Sequence, residues 1–309
     1  MQIKKTVLIA GITGQDGLYL TRILIKKNYR VIGLSRRYLS KKKNLIMIKT
    51  NYSLKSLKKI IKKYKPTQIY NLTAISEPSV SWVKPKDTFK SIIDITLNFL
   101  EIIKNEKKKI KFFNASTSEI FGPDKKKLSE NSPIFPTNPY GIAKSSAHFL
   151  VSAYRRNYKI FAINGIFFNH DSPYREKTFL LKYLISEAAK VKKNKNYKII
   201  LSDPRPVRDF GFAGDYMKAA YKILSIKKPQ DFIIASGKSI SVKKLAEKVI
   251  NKMHISSKAI KYKKKSKDYV NLIKRSSIKK IQKNINWKPK VSLEQLILMM
   301  IKADENIQI

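Results

Sequence analysis

The sequence feature that most constrains the fold is a glycine-rich turn between a short apolar run and an amphipathic segment. The turn reads GITGQDG and places Gly11, Gly14 and Gly17 at intervals of three residues. The apolar run before it predicts a buried strand, and residues 18–28 predict a helix with one apolar side. Glycines here let the backbone approach a pyrophosphate, whose charge is favoured by the N–H groups of the helix N-terminus. The sequence therefore predicts a dinucleotide-binding turn.

Strands and helices alternate along the first half of the chain. Strands are predicted at 29–34, 68–72, 110–116 and 160–168, and helices at 53–64, 89–104 and from about residue 140. This alternation predicts an α/β fold with a Rossmann-type, doubly wound parallel sheet. After residue 168 the pattern changes to a polar loop at 170–179, a helix at 179–193 and shorter strand–turn–helix segments. We expect an NADP-binding domain with the catalytic residues over 1–168 and a smaller, mainly substrate-binding α/β part over 169–309.

The end of the second predicted strand indicates which dinucleotide binds. An acidic residue there would bind the ribose 2′-hydroxyl of NAD, whereas a 2′-phosphate calls for arginine. The sequence reads GLSRR, with Arg36 and Arg37 and no acid. NADP is therefore preferred over NAD.

The chain is strongly basic, with 66 Lys+Arg against 21 Asp+Glu and a net charge of +45. Such a charge is typical of proteins that bind nucleic acid or an anionic membrane. Here the basic residues are spread throughout and form no stripe with interleaved aromatics. Lys, Asn and Ile have AT-rich codons, so an AT-rich coding background would give the same composition. We expect no nucleic-acid or membrane partner, although a charged nucleotide substrate would benefit from the positive field.

Cysteine is absent, and the only histidines are His148, His170 and His254. This excludes a disulfide scaffold, a thiolate metal site and a cysteine nucleophile, and it makes a multi-histidine metal centre improbable. No run approaches the roughly 20 apolar residues that a spanning helix needs. We expect a cytoplasmic protein that needs no metal.

Two short segments carry the candidate catalytic residues. The segment NPYGIAK places Tyr140 and Lys144 four residues apart, on one face of a helix, where the lysine cation can lower the pKa of the phenol. The segment NASTSEIFG ends a predicted strand and places Glu119 two residues after Thr117. A Tyr-x-x-x-Lys pattern alone is common by chance. After a dinucleotide fold, and 23 residues downstream of a Thr-containing strand end, it predicts a dehydrogenase-type site.

The chain resembles the extended short-chain dehydrogenase/reductases, and within them the GDP-mannose 4,6-dehydratases. The segments that carry the resemblance are GITGQDG, YNLTAIS, ASTSEIFG, NPYGIAK, NGIFFNHDSP with Arg175, RDFG, DFIIASG and NWKP. Together they span almost the whole chain. The Thr-Ser-Glu sequence at 117–119 resembles the GDP-mannose branch more than the epimerases or the dTDP-glucose dehydratases.

The resemblance implies a reaction in which Tyr140 removes the proton of the sugar C4 hydroxyl while hydride passes from C4 to NADP⁺. It also implies that Thr117 hydrogen-bonds the same oxygen and that Lys144 holds the phenolate and the nicotinamide ribose. Glu119 then takes the C5 proton, water leaves from C6, and hydride returns to C6. The expected product from GDP-mannose is GDP-4-keto-6-deoxymannose, and the expected assembly is a homodimer or homotetramer.

The resemblance implies further site residues beyond these four. The implied cofactor-binding residues, besides the glycines, the two arginines, Tyr140 and Lys144, are Thr13, Gln15, Asp16, Asn51, Leu72, Thr73, Ala74, Ser76, His170 and Arg175. The implied substrate-binding residues are Ser118, Asn169, Lys182 and Arg208, with Arg208 suited to clamp the diphosphate.

The chain departs from the family pattern at two nucleotide-binding positions and in two shortened inserts, one after the second strand and one before the C-terminal substrate-binding segment. Asn51 stands where the family usually has an aspartate that binds adenine, and the C-terminal Arg-Pro-Ala-Glu region is reduced to residues 265–268, which read KSKD. These departures put the nucleotide identity in doubt. Two alternatives stay open: another NDP-sugar epimerase, reductase or dehydratase of the same superfamily, and a non-catalytic basic binding protein on a degenerate Rossmann scaffold.

Overall fold

The computed structural model describes residues 5–36, 44–106, 109–122, 127–263 and 273–307. Its strands are β1 (Thr6–Ala10), β2 (Arg30–Ser35), β3 (Leu45–Lys49), β4 (Gln68–Asn71), β5 (Lys111–Thr117), β6 (Lys127–Leu128), β7 (Ala162–Phe167), β8 (Asn169–Asp171), β9 (Ile199–Leu201), β10 (Val207–Phe212), β11 (Phe232–Ile234), β12 (Ser239–Ser241), β13 (Ile260–Tyr262) and β14 (Arg275–Ser276).

The α-helices are α1 (Gln15–Lys26), α2 (Leu54–Tyr64), α3 (Pro78–Val83), α4 (Pro85–Phe89), α5 (Ile95–Lys104), α6 (Pro139–Asn157), α7 (Leu180–Lys193), α8 (Ala213–Ile223), α9 (Val242–Lys252), α10 (Lys279–Ile285) and α11 (Leu293–Ile307). A π-helical turn at Lys90–Asp94 joins α4 to α5, so the helix predicted at 89–104 is one continuous but irregular segment. Short 3₁₀ turns lie at Ser118–Ile120 and Ser257–Ala259.

Seven parallel strands form the central sheet, in the order β11-β7-β5-β4-β1-β2-β3. Starting from β1, strands β2 and β3 follow in chain order on one side. Strands β4, β5, β7 and β11 follow in chain order on the other side. The order reverses between β1 and β4, and ligands of such sheets bind at the carboxyl ends of the strands near that point. The predicted doubly wound Rossmann-type sheet is confirmed.

Local predictions were incomplete at several places, among them strand β10, whose segment was predicted only as a Pro-rich turn before a helix. Strand β3, with the sequence LIMIK, was not predicted, because a short apolar run next to basic residues carries no clear period. The polar loop predicted at 170–179 begins inside strand β8, which pairs in parallel with β10. Pairing with a distant strand overrides the polar local sequence there.

The central sheet contains strands from both parts of the chain, before and after residue 168. Strand β11 joins its edge by pairing with β7, and α8 packs against α1 on one face. The division of roles at that residue, with cofactor binding before it and substrate binding after it, stays a prediction. The core on one face of the sheet includes the buried residues Leu20, Tyr70 and Met217, and the core on the other includes Leu57 and Phe99.

Helices α7, α9 and α11 enclose a separate apolar cluster in the C-terminal part. Lys182 lies within this packing, and its Nζ is 2.8 Å from Oδ1 of Asp304 on α11. Both side chains are more than nine-tenths buried. The ion pair therefore joins α7 to α11.

A mostly buried carboxylate, that of Asp231, joins the edge of the central sheet to helix α6. It accepts two hydrogen bonds from the Arg155 guanidinium, at 2.6 and 2.9 Å, and one from the backbone N–H of Asn164, at 2.8 Å. Burial alone would raise the pKa of Asp231, but Arg155 and His148 hold it below its usual value. The carboxylate thus fastens β7 and the start of β11 to one helix.

We predict that Asp231→Asn lowers the free energy of unfolding by about 3 kcal/mol, because it leaves the Arg155 charge unpaired in a mostly buried place. Urea unfolding followed by circular dichroism measures the change. Because the folded-state pKa of Asp231 is lowered, its contribution is present above the pKa of an unfolded aspartate and is lost as the pH falls through the folded-state pKa. The difference in free energy of unfolding between Asp231→Asn and wild type should therefore become smaller at low pH.

The matched control is Glu305→Gln, which breaks an ion pair with Lys192 whose two side chains are about half exposed. Solvent screens such a pair, so its loss should barely change the unfolding midpoint. Equal effects of the two substitutions would contradict a special role for the Asp231 network.

Candidate active site

The glycine turn after β1 sits at the reversal point of the sheet, against the end of β4. Gly11 has a φ of 82°, and a Cβ there would lie 3.0 Å from the backbone carbonyl of Leu72. Its N–H is 3.3 Å from the hydroxyl of Tyr52, which itself donates to the Leu34 carbonyl at 2.9 Å. Burial raises the pKa of Tyr52 to about 12, so the phenol stays a donor. Only glycine fits this conformation and this close approach.

Helix α1 presents its N-terminus at the same turn. Its N-cap residue is Gly14, which supplies no side-chain cap, and a Cβ there would meet only the Gly11 carbonyl oxygen, at 3.6 Å. Thr13 and Gly14 are exposed, whereas Gly17 is buried against the backbone of Ile12. A helix N-terminus without a side-chain cap favours an anion at its first N–H groups. The turn therefore fits the pyrophosphate of a dinucleotide.

Two side chains of this turn are held by the segment after β7. The Gln15 amide donates to the His170 carbonyl at 2.9 Å and accepts from the Ser172 hydroxyl at 2.8 Å. Both carboxylate oxygens of Asp16 lie 3.0 Å from Nε2 of His170, and Nδ1 of His170 is 2.8 Å from the Phe168 carbonyl oxygen. The fold therefore brings together residues that are more than 150 positions apart in the sequence.

The pair formed by Asp16 and His170 carries charge. Burial alone would lower the pKa of His170, but the Asp16 carboxylate raises it above its usual value. Burial alone would raise the pKa of Asp16, but His170, Arg175 and Lys144 lower it. Nε of Arg175 is 3.3 Å from Oδ1 of Asp171. The predicted residues Asp16, His170 and Arg175 therefore lie in one charged cluster beside the glycine turn.

Other predicted cofactor residues follow the carboxyl ends of β2, β3 and β4. Arg36 follows β2 and is exposed, and its charge acts on the Tyr52 phenol. Asn51 follows β3, is exposed, and accepts from the Ser53 N–H at 3.0 Å. Four predicted cofactor residues follow β4. The Thr73 hydroxyl donates to the Asn71 side chain at 2.5 Å. Leu72 and Ala74 are half-buried, and Ser76 is exposed. Arg37 and residues 265–268 lie outside the described residues.

Three predicted catalytic residues meet at the carboxyl end of β5. Thr117 ends β5, and its hydroxyl hydrogen-bonds the Tyr140 phenol from the first turn of α6. Nζ of Lys144 donates to the Ala115 carbonyl at 2.7 Å and lies 5.9 Å from the centroid of the Tyr140 ring. All three side chains are buried.

The pKa values of this cluster differ from the sequence-based expectation. Burial raises the pKa of Tyr140 to about 12, although the Thr117 hydroxyl opposes the rise. Burial lowers the pKa of Lys144 to about 8. A lowered pKa of Tyr140 is therefore not found in the protein alone, since desolvation outweighs the nearby charges.

Glu119 faces the same cluster from a 3₁₀ turn that follows β5. Its Oε2 accepts from the Asn138 amide at 3.1 Å, and its Oε1 lies 2.8 Å from Nζ of Lys274. Burial alone would raise the pKa of Glu119, but Lys274, Arg208 and Asn138 together hold it below its usual value. Glu119 is therefore an ionised carboxylate with 18% of its side chain exposed. An ionised and partly accessible carboxylate can accept a proton.

The start of α6 is built around this carboxylate. Asn138 caps the helix by accepting from the Gly141 N–H at 2.8 Å, and Pro139 occupies the first turn. A Cβ on Gly141 would lie only 2.5 Å from the Glu119 carbonyl oxygen. Glycine thus allows α6 to pack directly on the backbone of Glu119, one residue after Tyr140.

A cavity of about 500 Å³ opens beside β10 in the C-terminal part. Its lining includes Asn169, Tyr183, Asp203, Arg208 and Lys263. Two predicted substrate residues, Asn169 and Arg208, therefore share this cavity, and Arg208 also acts on the charge of Glu119. Lys182 does not reach it, because its ammonium is buried against Asp304. Ser118 is buried beside Glu119.

Sequence reasoning missed three residues that shape the site. Asn138 could have been found, because Asn-Pro before a helix is an N-cap signature. Tyr52 and Lys274 gave no signal: each is remote in sequence from the residue it contacts, and Lys274 is one of 66 Lys and Arg residues. In the described ranges, no three His, Asp or Glu side chains are grouped to hold a metal ion. Among the helices of these ranges, none has the length and apolar run required to cross a bilayer.

Comparison with known proteins gives a consistent result. The family model of GDP-mannose 4,6 dehydratase matches residues 8–300. GDP-mannose 4,6 dehydratase of Cricetulus griseus is 34% identical over 97% of this chain and 91% of the relative. GDP-mannose 4,6 dehydratase 1 of Arabidopsis thaliana is 32% identical over 97% of this chain and 90% of the relative.

Solved structures agree with the fold. The UDP-glucose 4-epimerase of Thermotoga maritima, solved with UDP-glucose, superposes with a TM-score of 0.89 at 20% identity, covering 98% of this chain and all of that one. The dTDP-glucose 4,6-dehydratase of Bacillus anthracis, solved with NAD, has a TM-score of 0.87 at 21% identity, covering 98% and 97%. The match of the family model over nearly the whole chain, together with relatives above 30% identity, shows that the chain belongs to the GDP-mannose 4,6-dehydratase family.

Proposed function

We propose that the protein dehydrates GDP-mannose to GDP-4-keto-6-deoxymannose and uses NADP as a cofactor that is regenerated in each turnover. The observation that carries this proposal is the place of Glu119. It is an ionised carboxylate, two residues from Thr117 and packed against the start of the helix that bears Tyr140 and Lys144. A reductase or an epimerase needs no base at C5 in this position. The relatives, which are GDP-mannose 4,6 dehydratases by name, support the same reaction.

The first half of the reaction concerns the sugar C4 hydroxyl. When bound, NADP⁺ would supply a positively charged hydride acceptor for C4, and the NADPH so formed would supply the hydride for C6. Tyr140 accepts the proton of the C4 hydroxyl, and Thr117 hydrogen-bonds the same oxygen. The Tyr140 phenol has a raised pKa in the protein alone, so the positive charge of the oxidised nicotinamide and of Lys144 must favour its ionisation during turnover.

The second half is an elimination. A ketone at C4 acidifies the C5 proton, which Glu119 accepts because it is ionised. The electron pair of the C5–H bond forms the C5–C6 double bond, and water leaves from C6. Arg208 on β10 and Asn169 on β8 line the same cavity, and the charge of Arg208 acts on Glu119, so we assign both residues to substrate binding.

The reaction is tested by incubating the protein with GDP-mannose and a catalytic amount of NADP⁺ in deuterated water, with NMR detection of the product. We predict a 4-keto-6-deoxy product that carries deuterium at C5. Glu119→Gln should keep NADP binding but lose C5 exchange, and turnover should fall by about a hundredfold or more. Glu106→Gln, at an exposed acid after α5, is the matched control and should act as wild type.

Other outcomes point to the alternatives. Accumulation of NADPH without loss of water would favour a reductase or epimerase of the same superfamily, and C5 exchange that persists in Glu119→Gln would refute the role of this residue. No turnover of any sugar nucleotide would favour a non-catalytic binding protein.

The preference for NADP rests on Arg36, which lies exposed at the carboxyl end of β2 beside the glycine turn. We predict that Arg36→Ala weakens NADP binding by about tenfold or more, because it removes a charge-assisted hydrogen bond to the 2′-phosphate. NAD binding should change little. Isothermal titration with each cofactor measures both affinities, and Lys58→Ala on the exposed face of α2 controls for loss of charge. Equal weakening for NAD and NADP would contradict the assignment.

We also propose a homo-oligomer, a dimer or a tetramer. Ile142 and Phe149 are exposed apolar residues seven positions apart, and so on one face of α6. A second copy of the chain could cover them. A cytoplasmic location, and the absence of nucleic-acid and membrane partners, stay predictions.

A further inference from the structure

A buried lysine, Lys274, faces the carboxylate on which the proposed elimination depends. Its Nζ lies 2.8 Å from Oε1 of Glu119, and 1% of its side chain is exposed. Three lysines are buried among the described residues, and two of them, Lys144 and Lys274, lie at the candidate active site. Burial of an ammonium group is costly unless a partner compensates for the lost water. The position of Lys274 is therefore coupled to the charge of Glu119.

The backbone on both sides of Lys274 is fixed. Its own N–H donates to the Val207 carbonyl at 3.1 Å, and Ile273 forms a β-bridge with Val207. Two residues later, the Ser276 hydroxyl donates to the buried carboxylate of Asp209 at 2.6 Å. Strand β14 also pairs with β6. The long lysine side chain thus reaches Glu119 from a backbone that β6 and β10 hold in place.

The groups that set the charge of Glu119 come from three elements. Lys274 precedes β14, Arg208 lies on β10 and Asn138 caps α6, the helix that also carries Tyr140. Arg208 is less buried than Lys274, and its Nη1 donates to the Val207 carbonyl at 3.0 Å. Tyr140 is a neutral phenol because burial raises its pKa to about 12. Among the ion pairs of the described residues, the cation that lies against the Glu119 carboxylate is Lys274.

We propose that Lys274 is a positioning residue that keeps Glu119 ionised before it accepts the C5 proton and favours release of that proton to the C6 oxygen. The inference rests on the dehydratase function proposed above. In the elimination, the C5–H bond breaks and its electron pair forms the C5–C6 double bond. The C6–O bond breaks with its pair, and the oxygen leaves as water with the proton from Glu119. The Lys274 cation stabilises the ionised form of Glu119. For the same reason it makes protonated Glu119 a stronger acid, which releases its proton more readily.

The test compares Lys274→Met with wild type in two measurements. The first is ¹³C NMR titration of protein labelled at the glutamate carboxyl carbon, with the Glu119 signal assigned by its loss in Glu119→Gln. The second is the pH profile of kcat/KM for GDP-mannose. Loss of the cation disfavours the carboxylate, so the titration of Glu119 and the acid limb of kcat/KM should both move to higher pH, the limb by about one pH unit or more.

Two variants separate charge from structure. Lys274→Arg keeps a cation and should bring the acid limb back towards that of wild type. Arg275→Met removes a charge from the next residue, whose side chain is exposed, and should leave both measurements unchanged. If Lys274→Met does not fold, Lys274→Gln is measured in its place and read in the same way. A purely structural role would lower the unfolding temperature without moving the acid limb, and that result would overturn the proposal.

The role of Lys274 and the proposed function are refuted by different results. Titration of Glu119 needs no turnover, so an unchanged titration in Lys274→Met refutes the role of the lysine even in an active enzyme. A wild-type protein that does not convert GDP-mannose refutes the proposed function, and with it the transfer of the proton to the C6 oxygen.

Discussion

The close contact between the glycine turn and the carboxyl ends of β2 and β4 is the constraint on which the rest of the structure depends. Gly11 adopts a positive φ against the backbone of Leu72, and Tyr52 bridges its N–H to the end of β2. Because all seven strands are parallel, their carboxyl ends meet at one edge, and the helix N-terminus of α1 opens there too. The cofactor turn, Thr117 and the start of α6 are therefore neighbours for a topological reason.

The titratable groups of the site differ in their burial and in the charges next to them. Tyr140 and Lys144 are buried, which raises the pKa of the phenol and lowers that of the ammonium. Glu119 is mostly buried, which alone would raise its pKa, but Lys274 and Arg208 hold that pKa below the usual value. In the mechanism proposed above, the acid that starts ionised thus lies beside two cations, whereas the phenol requires a further positive charge before it can act as a base. Under that proposal, the difference in environment divides the two roles between two groups of one site.

The large excess of basic residues is mostly a surface property, but the buried cations have specific partners. Lys182 pairs with Asp304 between two helices, Lys274 pairs with Glu119 at the site, and Arg155 is held by Asp231 at the edge of the sheet. Burial penalises an unpaired cation, as the lowered pKa of Lys144 beside the Ala115 carbonyl shows, and a carboxylate partner offsets that penalty. The few acidic residues of this chain are therefore used in part where a buried cation needs them, so their scarcity does not make Glu119 unusual.

The sequence by itself determined the order of most strands and helices, the glycine turn and the set formed by Thr117, Glu119, Tyr140 and Lys144, because these follow from local periodicity and from motifs within short segments. It missed strand β3, which has no clear period, and it placed Lys182 among the substrate residues although it is buried between α7 and α11. Only the tertiary structure decided that Lys274 contacts Glu119, that Tyr52 supports Gly11 and that burial sets the pKa of Tyr140. Desolvation and contacts between residues far apart in the chain depend on packing, and packing leaves no periodic signal in the sequence.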